Sequence, residues 1–439
     1  MAQLARPCSA KFKEDFAYET IKDRLPVILT KVIDAVTRDR KSLVANNGQG
    51  LLINDLKGII SRLAEMKHSL QTNKPLKPLT DNTDSTEAWN KYLEEQVKCS
   101  DKPPSWFSST WLYVECFFYR KIHEAMALSE HFKGLDPFGE QKRRSLIESM
   151  TSVTSLAYHL EKELNVLSES DDTEATRKVY LQILQVDLWG NKCDLSISGA
   201  NDNHQTTDPI LQLPTLQSGI LVDDSAATWQ QLVDANRTKP NQVRVDIILD
   251  NSGFEFFTDL CLAVFLVDMK LASIVRLHGK SIPWFVSDVT AEDFSWTIDQ
   301  LGVQSDTHTN LFGFLKRLKE NLQSGAITFE VHTFWTLPQD FNEMQTVAPD
   351  LYASLQKSDL VYFKGDLNYR KLIGDRKWDP TTRFETAVRD FRPAPFCALR
   401  TIKCDVLVGL RNGQMEEVQR VDPNWMKSSA FAVIQYLSG

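Results

Sequence analysis

The sequence predicts an α/β protein: a helical N-terminal domain followed by a three-layer α/β/α domain with a mostly parallel sheet. Two observations carry that expectation. Through about residue 190, apolar residues recur at three- and four-residue steps, which places them along one face of each helix. From about Val243, short β-branched and apolar runs alternate with helix-like stretches, the signature of βαβ units with helices on both faces of a sheet.

In the helical half, Ile21, Leu25, Ile28, Leu29, Val32 and Ile33 mark the first amphipathic helix. Further helices are expected over Leu51–Leu70, Thr110–Ala127 and Arg144–Leu167, with polar loops such as Lys74–Asp84 between them. Trp111, Phe117 and Phe118 on the third of these read as core. Strands are expected at Val243–Leu249, Ile274–Leu277, Ile282–Val286, Ile327–Phe334, Leu360–Phe363 and Cys397–Ile402. Helical segments fall between several of them, at Phe254–Met269, Ala291–Leu301, Leu311–Leu322 and Ala348–Lys357. The division is therefore 1–190 and 191–439. Residues 199–242, rich in Asp, Thr, Gln and Ser, read as a surface excursion joining the two.

With 42% apolar and 25% charged residues, the 439-residue chain has the composition of a soluble globular protein. Its formal net charge of −8 argues against a dedicated nucleic-acid binder, which carries a basic face. The longest apolar stretch, Leu260–Val267, is far short of a membrane span, and Met1–Ala17 lacks the apolar core of a secretory signal. Seven scattered cysteines without a CxxC pair fit reduced thiols in a cytoplasmic, or additionally nuclear, compartment.

Ligands of open parallel sheets bind beyond the carboxyl ends of the strands, so the polar residues following each strand are the ones to weigh. The first strand leads into Asp250-Asn-Ser-Gly-Phe-Glu255, and the apolar run Pro283–Ser287 ends at Asp288. A later strand leads into Lys364-Gly-Asp-Leu-Asn-Tyr-Arg370, and another ends in Arg400-Thr-Ile-Lys403. Asp250, Asn251 and Asp288 offer hard oxygen donors suited to Mg²⁺ or Mn²⁺ rather than to a soft-ligand zinc site. Lys364, Arg370, Arg400 and Lys403 supply positive charge for a phosphate. Taken singly, each has an ordinary alternative: Asp-Asn-Ser-Gly is a capped turn, Asp288 caps the next helix, and the cations are solvated or paired. Their convergence at several strand ends is what favours a site. No HExxH, Walker A, Rossmann glycine fingerprint or GxSxG elbow is present.

Asp250–Glu255, Lys364–Lys371 and Arg400–Lys403 together resemble the metal-dependent damage-control phosphatases (domain-of-unknown-function family 89), and within them subfamily III, defined by an Arg-Thr-x-Lys motif. Thr20–Arg24, Trp111–Cys116, Trp189–Leu195 and Ile282–Asp288 extend the similarity over nearly the whole chain. The resemblance implies one Mn²⁺, Ni²⁺, Co²⁺ or Mg²⁺ ion held by Asp250, Asn251 and Asp288, with Asp250 and Asp288 catalytic. It assigns substrate binding to Asp250, Asn251, Asp366, Leu367, Asn368, Tyr369, Arg370 and Lys403. Asn191 and Asp194 match a Gly-Asn-x-x-Asp pattern that the wider family places near its site, and read equally well as a capped helix end. The implied reaction releases phosphate from sugar phosphates such as fructose 1-phosphate or fructose 6-phosphate, in metabolite damage control. A rival activity comes with the resemblance, S-adenosylmethionine-dependent methylation of protein glutamate, with Glu255 and Asp288 at the methyl donor. It fits less well, since methyl transfer needs no hard metal and no glycine-rich nucleotide loop is present. Under the first reading the partners are small phosphorylated metabolites; a protein substrate belongs only to the second.

Overall fold

In the computed structural model, which describes residues 4–44, 49–170, 172–190 and 209–439, seven strands form one sheet. They are β1 (Ile220–Asp223), β2 (Arg244–Ile248), β3 (Ile274–Gly279), β4 (Ile327–Val331), β5 (Leu360–Lys364), β6 (Phe396–Thr401) and β7 (Ala432–Leu437). Their spatial order is β1-β7-β6-β5-β2-β3-β4. The five strands β2 to β6 run parallel, while β7 pairs antiparallel with β6 and carries β1 along its far side. The sheet is thus mostly parallel, as the alternation of elements predicts.

Side chains alternate across the sheet with the two-residue period of a strand, and two apolar cores result. Ile248, Val361, Phe363, Phe396, Ala398 and Val433 face one; Val245, Ile247, Leu360, Tyr362, Leu399 and Ile434 face the other. The first core is closed by α1 (Leu25–Val44), α2 (Gln49–Gln71), α3 (Thr86–Lys98) and α4 (Trp111–Ala127). The second is closed mainly by α5 (Gly139–Glu148), α6 (Met150–Ser168), α7 (Thr173–Gly190), α8 (Pro209–Leu216), α9 (Ser225–Thr238), α10 (Phe254–Asp268), α11 (Ala291–Ser305) and α12 (Phe312–Gln323). Both cores draw on residues from either side of position 190. Helix α10 is buried around nearly its whole girth, which explains why its sequence has no polar stripe.

Four expectations need correction. Of the expected surface excursion 199–242, residues 199–208 lie outside the described residues, while 209–242 supply α8, the edge strand β1 and α9, with Thr228 and Leu232 fully buried. Their polar residues occupy the outer faces of short elements, which lowers the average apolarity of the segment. Ile282–Val286 is a turn rather than a strand; Phe285 and Val286 have φ of +44° and +73°. Its apolar run comes from burial against α4, where Phe285 stacks on Tyr119 at 4.6 Å between ring centroids. The single helix expected over Arg144–Leu167 is broken at Ser149, whose hydroxyl donates back to the Ser145 carbonyl at 2.8 Å. Finally, β4 stops at Val331, so His332 lies beyond the strand, where its ring accepts from the Phe334 N–H.

No described helix is long and apolar enough to cross a membrane. Among the described residues Cys8, Cys99, Cys116, Cys261, Cys397 and Cys404 are free thiols.

Candidate active site

The site is built where β2 ends. Asp250 and Asn251 follow that strand directly, and Gly253, at φ +77°, turns the chain into α10. Beyond β3, the strained turn at Phe285 and Val286 brings Asp288 back alongside: Asn251 and Asp288 form an isolated antiparallel bridge. The Val289 N–H donates to the Asp250 carbonyl at 2.9 Å, and the Ser287 hydroxyl donates to Asn251 Oδ1. Residues 37 positions apart in the chain are in this way locked side by side. Two non-glycine residues with positive φ in succession are costly, and the packing of Trp284 and Phe285 against the α4 aromatics holds them there.

The third strand end comes from β5. Gly365, at φ +79°, opens α13 (Gly365–Leu372). A Cβ at this position would lie 1.8 Å from Asp250 Oδ2. Only glycine lets the two strand ends approach this closely. From β6 come Lys403 and Cys404. One pocket is lined by Asp250, Asn251, Asp288, Asp366, Leu367, Arg370, Lys403 and Cys404 from the α/β half. Phe16, Arg24 and Trp111 join from the helical half, and Phe285 from the strained turn.

Several expected binders instead hold the framework. Lys364 is fully buried beneath the pocket, 2.7 Å from Asp187 and 2.8 Å from Asp259. Burial opposes its charge, but Asp187, Asp259 and Glu255 outweigh it and keep the ammonium above its ordinary pKa. Arg400 is also fully buried. Its guanidinium bonds Asp366 at 2.8 Å and lies over the Tyr369 ring at 4.3 Å, so it positions Asp366 rather than reaching the pocket. Asn368 donates to the Lys364 carbonyl at 2.8 Å, and the Tyr369 hydroxyl to Gln435 at 2.7 Å. Of Asp366 to Arg370, then, Asp366, Leu367 and Arg370 line the pocket and the other two do not. Glu255 accepts from Asn251 Nδ2 at 2.7 Å and lies 3.7 Å from Lys364, itself buried. Asn191 and Asp194 lie outside the described residues.

Arg370 is held on three sides: Asp375 and Glu115 accept from it at 2.8 and 2.6 Å, and Trp111 lies 3.5 Å beneath its plane. Burial works against its charge and the two carboxylates prevail, raising its pKa. Lys280 lies 3.2 Å from Asp288 Oδ2 and donates to the Leu249 carbonyl at 2.7 Å. Sequence reasoning missed Phe16, Arg24, Phe285 and Cys404 as wall residues and took Trp111 for core alone. Arg24, Trp111 and Phe285 lie in the resembling segments Thr20–Arg24, Trp111–Cys116 and Ile282–Asp288, and Cys404 adjoins Lys403, but it is tertiary packing that brings the helical contributors to the pocket.

The donors suit a divalent cation: two carboxylates and an amide oxygen, brought together by backbone pairing and lining one pocket. Among the described residues no cluster of three or more His, Cys, Asp and Glu side chains could hold a metal; this set has two such residues, both aspartates, its third donor being an asparagine.

Oxygen donors and cations gather at the carboxyl ends of parallel strands in an α/β protein, at one pocket that the helical half helps to line. The damage-control phosphatase ARMT1-like domain matches residues 20–418. Damage-control phosphatase ARMT1 of Danio rerio is 46% identical over 435 residues, covering 98% of this chain and 96% of that protein. The Xenopus tropicalis protein of the same name is 45% identical, covering 98% of both chains, and the Homo sapiens protein 41% identical, covering 99% of both. A crystal structure of a DUF89 family protein from Pyrococcus horikoshii, 13% identical, superposes over 81% of this chain and 90% of that one with a TM-score of 0.38. The chain belongs to the damage-control phosphatase ARMT1-like family, a family of phosphatases that work with a divalent metal.

Proposed function

We propose that this phosphatase hydrolyses small sugar phosphates, fructose 1-phosphate and fructose 6-phosphate among them, in clearing damaging metabolites. The observation that carries the reading is a single pocket lined by Asp250, Asn251, Asp288, Arg370 and Lys403. Asp250, Asn251 and Asp288 would hold the metal, and Mn²⁺, Ni²⁺, Co²⁺ and Mg²⁺ all accept such oxygen-rich donors to some degree. When bound, the ion polarises the phosphoryl group and acidifies a water.

The chain's own residues do the rest. Lys403 offers an ammonium to phosphate oxygens as charge builds up in transfer. Arg370, with most of its donors already engaged, contributes field more than hydrogen bonds. Phe16, Trp111 and Phe285 give the pocket apolar walls that limit water and fit the carbon face of a sugar. Asp366, held in place by Arg400, accepts hydrogen bonds from the sugar hydroxyls.

Phosphate release from fructose 1-phosphate is to be measured with Mn²⁺ and again with chelator; loss of activity on chelation is expected, and equal rates overturn the proposal. Asp250→Ala is expected to abolish turnover with the melting temperature retained. Lys403→Ala should lower kcat/KM by about 10²-fold or more, the scale of one transition-state donor. The methyltransferase reading gains nothing from the position of Glu255, which does not line the pocket; heat on titrating S-adenosylmethionine would bring it back.

A further inference from the structure

Arg24 reaches the pocket by an irregularity in the chain. Phe16–Glu19 and α1 are α-helical, but Thr20–Arg24 between them is a π-helical turn, in which the Leu25 N–H bonds the Thr20 carbonyl five residues back. The cause is written in the sequence: Pro26 has no N–H to give the Lys22 carbonyl, and its ring would press on that carbonyl in a regular helix. Widening the turn relieves the clash. Such π-turns recur at functional sites, and this one ends on the residue that enters the pocket wall.

The side chain of Arg24 is 17% exposed. Its Nη2 donates to Glu115 Oε1 at 3.0 Å, and the other oxygen of Glu115 takes Arg370 at 2.6 Å. Glu115 is fully buried on α4 and therefore fixes two guanidiniums at one side of the pocket. The Nε of Arg24 is buried and has no hydrogen-bond partner among the described residues. A guanidinium has five N–H donors in a rigid fork. A buried donor of a charged group left unsatisfied is unfavourable, and the exposed part of the guanidinium lies in the pocket wall, where an acceptor can meet it. Arg370, by contrast, is already satisfied by Asp375 and Glu115.

We propose that Arg24 is a substrate-binding residue supplied by the helical layer, its guanidinium taking an oxygen of the substrate's phosphate. The inference rests on the phosphatase reading and extends it: the helical half would then contribute directly to substrate recognition in addition to covering the site. Arg24 acts on binding, so its loss falls mainly on KM.

The test uses the full chain loaded with Mn²⁺. Inorganic phosphate binding is followed by calorimetry, and fructose as an unphosphorylated control, in the wild type, Arg24→Gln and Arg24→Lys. Arg24→Gln should weaken phosphate binding at least tenfold and raise KM for fructose 1-phosphate by a similar factor, with kcat changed much less. Arg24→Lys, which keeps the charge and the Glu115 pair but loses the fork, should fall between. Fructose binding should be insensitive to both substitutions; a selective loss of fructose instead assigns Arg24 to the sugar and overturns the phosphate contact. Wild-type phosphate affinity in Arg24→Gln overturns the proposal while leaving the phosphatase reading intact. If Arg24→Gln does not fold, unchanged phosphate affinity in Arg24→Lys has the same force. A wild-type protein that binds no phosphate with metal present overturns the phosphatase reading itself.

Discussion

Gly365 and Asp250 stand in contact because one of them has no side chain. Gly365→Ala places a methyl 1.8 Å from a carboxylate oxygen at a backbone φ of +79°, so both the position of Asp250 and the turn must give. The expected result is a loss of about 1–3 kcal/mol of stability and near-complete loss of phosphatase activity; a fully active, equally stable variant in a urea titration would contradict the assignment. Lys371 makes a different prediction. It is fully buried, donates to the Leu337 carbonyl at 2.6 Å and lies between the Phe334 and Phe341 rings. Burial pulls its pKa down to about 8; Cys116 opposes the shift and Lys280 adds to it. The unfolded chain, with an ordinary lysine pKa of about 10.4, therefore binds more protons between about pH 8 and 10.4, and this group's contribution to stability rises with pH across that window. Lys371→Met removes the cost of the buried charge and also a hydrogen bond, a net gain of about 2 kcal/mol at pH 7. The difference between the two stability curves should shrink from pH 8 to 10.5, and a pH-independent difference would rule the account out. At this scale the sequence was informative for residues that follow a strand and turn, such as Asp250, Asn251 and Lys403. It was misleading for Lys364 and Arg400, because whether a cation at a strand end points up into a pocket or down between helices is decided by partners such as Asp187 and Asp259, remote in the chain.

At the level of elements, the loop carrying Asp288 depends on α5. The Lys142 ammonium donates to the Asp288 carbonyl at 2.9 Å and contacts Asp293 and Asp136 at 2.7 and 2.8 Å. Burial opposes its charge, and the two carboxylates overcome it and raise its pKa. Asp293 is at the same time half of the capping box that Thr290 opens at the start of α11. One lysine therefore ties a helix of the outer layer to the Asp288 loop and to the next helix. Lys142→Met would strand two buried carboxylates, with an expected loss of about 3–5 kcal/mol and weaker Mn²⁺ binding; a denaturation midpoint equal to wild type would refute it. The Asp288 loop was expected as a strand, because periodicity registers that residues are buried and not what buries them. Phe285 and Val286 pack like strand residues while adopting a conformation no strand contains.

For the molecule as a whole, the alternation from β2 onward was legible because each parallel strand must be followed by a crossover helix, and the pattern repeats over a long stretch. The edge strand β1 was not, since four half-exposed residues carry too little alternation to register. Nor does the chain reveal that its helical half has no separate apolar core among the described residues: α1 to α4 pack with one face of the sheet, α6 and α7 with the other. A fragment of residues 191–439 would expose both faces. Expressed alone, it is expected to aggregate and to lack a cooperative unfolding transition, while the full chain unfolds in one; a soluble fragment with near-ultraviolet circular dichroism would disprove this.

The placement of β7 between β6 and β1 bears on how the protein is made. Ribosomal synthesis delivers β1 some two hundred residues before β7, its neighbour in the sheet among the described residues, so that segment must wait until β7 has emerged before it can pair with it. Deleting Ala432–Leu437 alone would detach one edge of the sheet altogether, and with β7 would go Gln435, which receives the Tyr369 hydroxyl from the helix beside the pocket.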